Sequence, residues 1–129
     1  MSFDYHRSIF DHVQLGVSSR AESERFYRTV LEPLGIPIVS ETDDWIMFAH
    51  LAIREDRPVS TNVHLSFQAS SNEQVDAFHR AGVEAGYRHN GAPGPRYEEF
   101  MPGIYAAYLL DPDGNNVEAV HRAQAAPQP

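Results

Sequence analysis

Three side chains far apart in the sequence carry the donor chemistry of one metal centre: His12, His64 and Glu118. Two neutral imidazoles and a carboxylate make a facial triad, which leaves positions on the ion open to water or substrate. Such a set accepts Fe(II), Mn(II), Zn(II), Ni(II) or Co(II), and geometry chooses among them. The two histidines are related by more than type. His12-Val13-Gln14-Leu15-Gly16-Val17-Ser18-Ser19 is answered 52 positions later by His64-Leu65-Ser66-Phe67-Gln68-Ala69-Ser70-Ser71. The same offset pairs Phe26 with Phe78, Arg28 with Arg80 and Glu32 with Glu84. A repeat of this length points to two copies of one supersecondary unit, each with a histidine in its first strand.

The elements that must position these groups follow from local pattern. Val13, Leu15 and Val17 alternate with His12, Gln14 and Gly16, the period of a half-buried strand. Ser19-Arg20-Ala21-Glu22 fits a capping box, and Phe26, Tyr27, Val30, Leu31 and Leu34 follow at helical spacing. Gly35 closes that helix in a left-handed conformation, with Pro37 just beyond. The second copy repeats these signals: a strand of Val63, Leu65, Phe67 and Ala69, a cap at Ser71-Asn72-Glu73-Gln74, and a helix stripe of Val75, Phe78, Gly82 and Ala85 ended by Gly86. Three strands are predicted after each helix, at about 36–42, 44–48 and 51–55, then at 86–90, 103–110 and 115–121. Asp111-Pro112-Asp113-Gly114 is the turn between the last two. Residues 91–103, rich in Gly and Pro, are predicted as a long loop, and 122–129 as a frayed tail. The expected fold is therefore α+β, one domain of two βαβββ modules at about 8–57 and 61–121.

Each helix must cover the apolar face of its strand. The opposite faces then carry His12, Gln14 and Gly16, and His64, Ser66 and Gln68. No Lys or Glu stands there, which suits a concave, partly enclosed surface. On the last strand Glu118 shares a face with Asn116 and Val120. A mid-strand Glu is disfavoured by β-propensity and costly when buried alone, and a cation shared with the histidines removes that cost. The competing reading is structural: histidines kept by the repeat for packing, and Glu118 in an edge-strand ion pair. The remaining histidines, His6, His50, His79, His89 and His121, read as surface groups, with His121 facing away from Glu118.

Composition narrows the function classes. Ten basic against eighteen acidic residues give a net charge of −8, a surface that repels phosphate backbones and argues against a nucleic-acid partner. No stretch reaches the roughly 20 apolar residues of a membrane span, and the first residues lack the apolar run of a signal peptide. The expected location is the cytoplasm. With no cysteine, thiol nucleophiles and thiolate ligands are excluded.

Asp11-His12-Val13-Gln14-Leu15-Gly16-Val17, Phe26-Tyr27, Leu34-Gly35, Val63-His64-Leu65-Ser66-Phe67 and Tyr108 through Glu118, with its Asp111-Pro112-Asp113-Gly114-Asn115 run, resemble the vicinal oxygen chelate superfamily. This group holds glyoxalase I, extradiol dioxygenases, fosfomycin-resistance transferases and bleomycin-binding proteins. The resemblance spans about residues 9–121. It implies two βαβββ modules whose curved mixed sheets form a cup. It further implies a divalent metal on His12, His64 and Glu118, and a substrate chelated through vicinal oxygens by a lyase or oxidoreductase. Tyr108 matches a position where a tyrosine touches substrate and is the candidate catalytic residue. Gln14, Ser66, Gln68, Arg96 and Asn116 are candidate substrate-binding residues, Arg96 toward an anionic group. The fourth carboxylate ligand expected of glyoxalase I would fall near Ala52 or Ile53, where none stands. The alternative is a non-catalytic protein that sequesters a small molecule, with Trp45, Tyr97, Phe100 and Tyr105 as apolar walls. Small members commonly form homodimers, and the cup is built within one chain or across two.

Overall fold

The computed structural model describes Asp4 and residues 7–123; His6 and most of the predicted tail lie outside the described residues. The first module runs β1 (Val13–Gly16), α1 (Arg20–Leu31), β2 (Ile38–Glu41), β3 (Ile46–Phe48) and β4 (Leu51–Arg54). The second runs β5 (His64–Gln68), α2 (Asn72–Glu84), β6 (Arg88–Arg96), β7 (Ile104–Leu110) and β8 (Asn116–Arg122). Each module folds into its own four-stranded sheet, in the orders β1-β4-β3-β2 and β5-β8-β7-β6. In both, the first strand lies parallel to the last and the other pairings are antiparallel. The predicted α+β fold of two βαβββ modules is thus the observed one.

The helix caps form as the sequence requires. Ser19 Oγ accepts from the Glu22 N–H, and Ser71 Oγ accepts from the Gln74 N–H. Gln74 Oε1 reaches back to accept from the Ser70 N–H, 2.7 Å away. The first helix stops being α-helical at Leu31, earlier than the apolar stripe suggests. Glu32–Leu34 form a 3-10 turn instead, because Pro33 has no N–H for the α-helical ladder. Gly35 then takes φ 72° and closes the turn onto Glu32.

One larger expectation is corrected. The segment predicted to be a loop from residue 91 continues as β6 through Arg96. It does so with breaks in register around Gly91 and before Gly94. β6 is the edge of its sheet, where bulges, Gly and Pro are tolerated because one side needs no ladder.

Both helices and the helix-facing sides of both sheets share one core. Phe26, Tyr27, Val30, Leu31, Ile46, Phe48 and Ile53 of the first module meet Val75, Phe78, Leu109 and Val117 of the second. Burying each such side chain contributes about 1.5–3 kcal/mol. Gly82 is required where α2 crosses β7: a Cβ there would lie 2.4 Å from Leu109 Cδ1. The turn before β8 ties the modules together. Asp111, buried in the second module, accepts from the Tyr27 hydroxyl of α1 at 2.7 Å and from the N–H groups of Asp113 and Asn115. Asn115 completes the joint, accepting from the Val63 N–H and donating to the Ser60 carbonyl. Burial and the neighbouring carboxylate hold the Tyr27 hydroxyl well above its ordinary pKa, so it remains a donor.

Candidate metal and ligand site

With the helices on one side of the sheets, the opposite face of the second sheet carries the polar side chains. Register defines its rows. Ser66, Glu118, Tyr108 and Gly91 stand side by side across β5, β8, β7 and β6. His64, Asn116, Leu110 and Arg88 form the adjacent row. His64 Nε2 lies 2.8 Å from Glu118 Oε1. Glu118 is only 7% exposed, so its carboxylate is held in the sheet with the imidazole above it.

Tyr108 sits between two groups. Its ring centroid is 6.2 Å from that of His64, and the Arg96 guanidinium carbon lies 5.5 Å from it on a cation–π approach. Gly91 makes room for the ring: a Cβ there would come 2.7 Å from Tyr108 Cδ2. Burial, and then the Glu118 and Tyr97 groups nearby, push the Tyr108 phenol up to about 12. It is therefore a neutral hydrogen-bond donor at neutral pH. Ile104, Ala106 and Val120 give the same face a small apolar floor against Tyr108.

The candidate residues are distributed as follows. His64, Glu118, Tyr108, Ser66, Gln68, Asn116 and Arg96 belong to the second sheet. Ser66 and Gln68 are exposed, and Asn116 accepts from Asn90 Nδ2 at 3.1 Å. Gln14 belongs to the first, and His12 lies just before β1 rather than in it, unlike His64 in β5. The His12 side chain is 55% exposed, and its Nδ1 is 2.7 Å from Asp11 Oδ2. The imidazole beside it holds the Asp11 carboxyl below its ordinary pKa. Among the described residues, no group of three His, Asp or Glu side chains that could hold a metal ion is assembled within the single chain. Gln14 is paired in register with Ala52, so Ala52 occupies the place in the first sheet that Glu118 occupies in the second.

Several residues take parts that the sequence pattern did not give them. Asp11 orients His12, and the adjacency of acid and imidazole was its only signal. Gly91 seats Tyr108 but was hidden in a predicted loop. His50 is exposed, yet lines a cleft of about 650 Å³ with Phe10, Val13, Phe48, His64 and Gln68. Of the four proposed apolar walls, Tyr97 and Phe100 meet each other at 6.0 Å beyond the end of β6. Tyr105 points to the helix side instead, donating its hydroxyl to Asp76. Trp45 lies in the first module under the Arg54 guanidinium, 5.6 Å from it. His79 is half-buried rather than a surface group, bonded to His89 at 2.8 Å.

The donor types suit a divalent ion, and within one chain only His64 and Glu118 of the three come together. Glu118 is a buried carboxylate whose partner is an imidazole nitrogen, the ligand types of a 2-His-1-carboxylate site. The Asp11–His12 pair has the carboxylate–imidazole arrangement that orients metal-binding histidines, leaving Nε2 free.

Comparison with known proteins agrees with this reading of the fold. The family model of the glyoxalase/bleomycin resistance protein/dioxygenase superfamily matches residues 9–119. The chain is similar to a glyoxalase/bleomycin resistance protein from Albidiferax ferrireducens T118, with 35% identity and a TM-score of 0.73, over 89% of this chain and all of that one. It shares its fold with a lactoylglutathione lyase from Agrobacterium tumefaciens, at 20% identity and TM-score 0.67, covering 89% and 94% of the two chains. It also shares its fold with a glyoxalase-related enzyme from Fulvimarina pelagi, at 22% identity and TM-score 0.62, covering 89% and 88%. No curated protein matches it. This chain belongs to the glyoxalase/bleomycin resistance protein/dioxygenase superfamily.

Proposed function

We propose that the protein is a metal-dependent enzyme acting on a small molecule with two adjacent oxygens, and that His12, His64 and Glu118 hold the metal. The observation that carries this is the buried Glu118 carboxylate with His64 Nε2 at 2.8 Å, on the sheet face opposite the helices. A divalent ion there would supply Lewis acidity to the substrate oxygens. The neutral Tyr108 hydroxyl donates a hydrogen bond to the bound molecule. Ser66, Gln68 and Asn116 offer further hydrogen bonds along the same face, and Gln14 does so from the first module.

Within one chain His12 does not join His64 and Glu118 in a three-residue metal group, and its Nδ1 is held by Asp11 Oδ2. We propose that a second copy of the chain supplies it, so that each site is built across a homodimer. This also fits the exposure of its imidazole and of Phe10 beside it, 62% exposed.

A second reading, a binding protein without catalysis, is favoured by one fact: among the described residues no three-residue metal-binding group is assembled within the chain. Metal analysis of protein purified without chelators separates the two. The enzyme reading expects stoichiometric transition metal in the wild type and its loss in His64→Ala and Glu118→Ala. A wild type that takes up no metal even when metal is added supports the binding protein.

A further inference from the structure

Arg96 differs from the arginines that the fold pairs with carboxylates. Arg20, Arg28, Arg54 and Arg57 each meet a carboxylate. Arg96 is half-buried at the end of β6, and among the described residues no carboxylate lies within ion-pair distance of it. It is held by main-chain oxygens instead: Nη2 donates to the Ala92 carbonyl at 2.6 Å and Nη1 to the Pro95 carbonyl at 3.0 Å. The breaks in β6 around Gly91 and Gly94 curl the strand so that the Ala92 carbonyl meets the guanidinium. Gly94 leaves the space, since a Cβ there would lie 3.2 Å from Arg96 Nη1.

A guanidinium has five N–H donors, and two are used here. The bonds to carbonyls fix its plane without neutralising its charge. The cation is thus positioned beside the Tyr108 ring, which His64 flanks at 6.2 Å. Tyr97 and Phe100, 53% and 71% exposed, form an aromatic wall just past it. In a chain of net charge −8, a held guanidinium with no carboxylate at ion-pair distance among the described residues is suited to receive an anion.

We propose that the molecule bound on this face carries a carboxylate that Arg96 receives through its unused N–H donors, with an aromatic or flat apolar body against Tyr97 and Phe100. The proposal rests on the reading of this face as a small-molecule site. Three of the guanidinium N–H donors are unused, and two of them match the paired oxygens of a carboxylate.

The test uses benzoate, its neutral analogue benzamide, and phenyl phosphate, titrated into the full chain and followed by amide and Arg Nε–H NMR shifts. Benzoate should bind about tenfold more tightly than benzamide, with shifts at Arg96 and Gly91. Arg96→Gln should abolish the preference, and Arg96→Lys, with charge but no fork, should keep part of it. The titrations are run on chelator-treated protein, where the preference should persist, and metal uptake is measured separately, so a failure of the metal reading and a failure of the carboxylate reading give different results. Equal binding of benzoate and benzamide, or an unchanged preference in Arg96→Gln, overturns the proposal. Phenyl phosphate binding more tightly than benzoate through Arg96 overturns the carboxylate in favour of a phosphate.

Discussion

The two modules have the same strand order and the same capped helix, yet the sheet faces opposite their helices differ. In the second, Glu118 stands beside Ser66 and Tyr108. In the first, the equivalent place is Ala52, between Gln14 and Met47. The outer strand differs too: β6 has nine residues and carries Arg96, whereas β2 has four. Duplication preserved what the shared core needs, the capped helices and apolar strand faces, because both modules must bury against each other. It did not preserve the faces opposite the helices, which the core does not constrain. Most of the candidate site residues therefore gather on one module, and the other contributes scaffold and the Asp11–His12 pair.

The largest effect should come from breaking the joint between the modules. Asp111→Ala removes the acceptor for Tyr27 and for two turn N–H groups and leaves a buried hydroxyl without a partner. A loss of about 3 kcal/mol is expected in denaturant unfolding. A loss below about 1 kcal/mol would show that the core alone holds the modules. Next is the exchange of the Glu118 and Ala52 characters. Glu118→Ala makes the second face like the first and should weaken binding of an added divalent metal by about 100-fold or more. Ala52→Glu gives the first face its own carboxylate and should tighten binding by about tenfold if His12 joins the site. Calorimetric titration reads both.

Smaller effects concern protons. Tyr108, raised to about 12, should ionise later than an ordinary tyrosine at 10.0, seen as the difference in tyrosinate absorbance between wild type and Tyr108→Phe. Since the folded pKa is the higher one, its contribution to stability is whole below pH 10.0 and is lost as pH rises toward 12. On the helix side, burial and then the neighbouring His89 hold His79 below its ordinary 6.5. Its contribution is present above pH 6.5 and is lost as pH falls through the lower folded value. In His89→Ala the NMR titration of His79 should move back toward 6.5, while that of a Tyr108→Phe variant should not change.

What was legible in the sequence follows the same division. Alternation and caps revealed β1, β5, α1 and α2, because burial on one face imposes a period. The inward side of β5 and β8 was readable for that reason, and with it the meeting of His64 and Glu118. The extent of β6 was not: its bulges and prolines break alternation, and an edge strand tolerates what an inner strand does not. Nor was the separation of His12 from Glu118. Sequence periodicity places a residue on a face of its own sheet, but the relation between two sheets is set by core packing across α1, α2 and the Asp111 turn. The family-specific Asp111–Asn115 run proved to be a structural joint.

Mixing two inactive chains decides whether the proposed metal site is real and shared. His12→Ala and Glu118→Ala variants, each expected to hold little metal, are unfolded together, refolded as a mixture and analysed for bound metal. A site assembled from His12 of one copy and His64 and Glu118 of another should reappear in the mixed dimers, one intact site in each. Full metal binding by the His12→Ala chain alone, or no recovery in a mixture shown to contain mixed dimers, would contradict it.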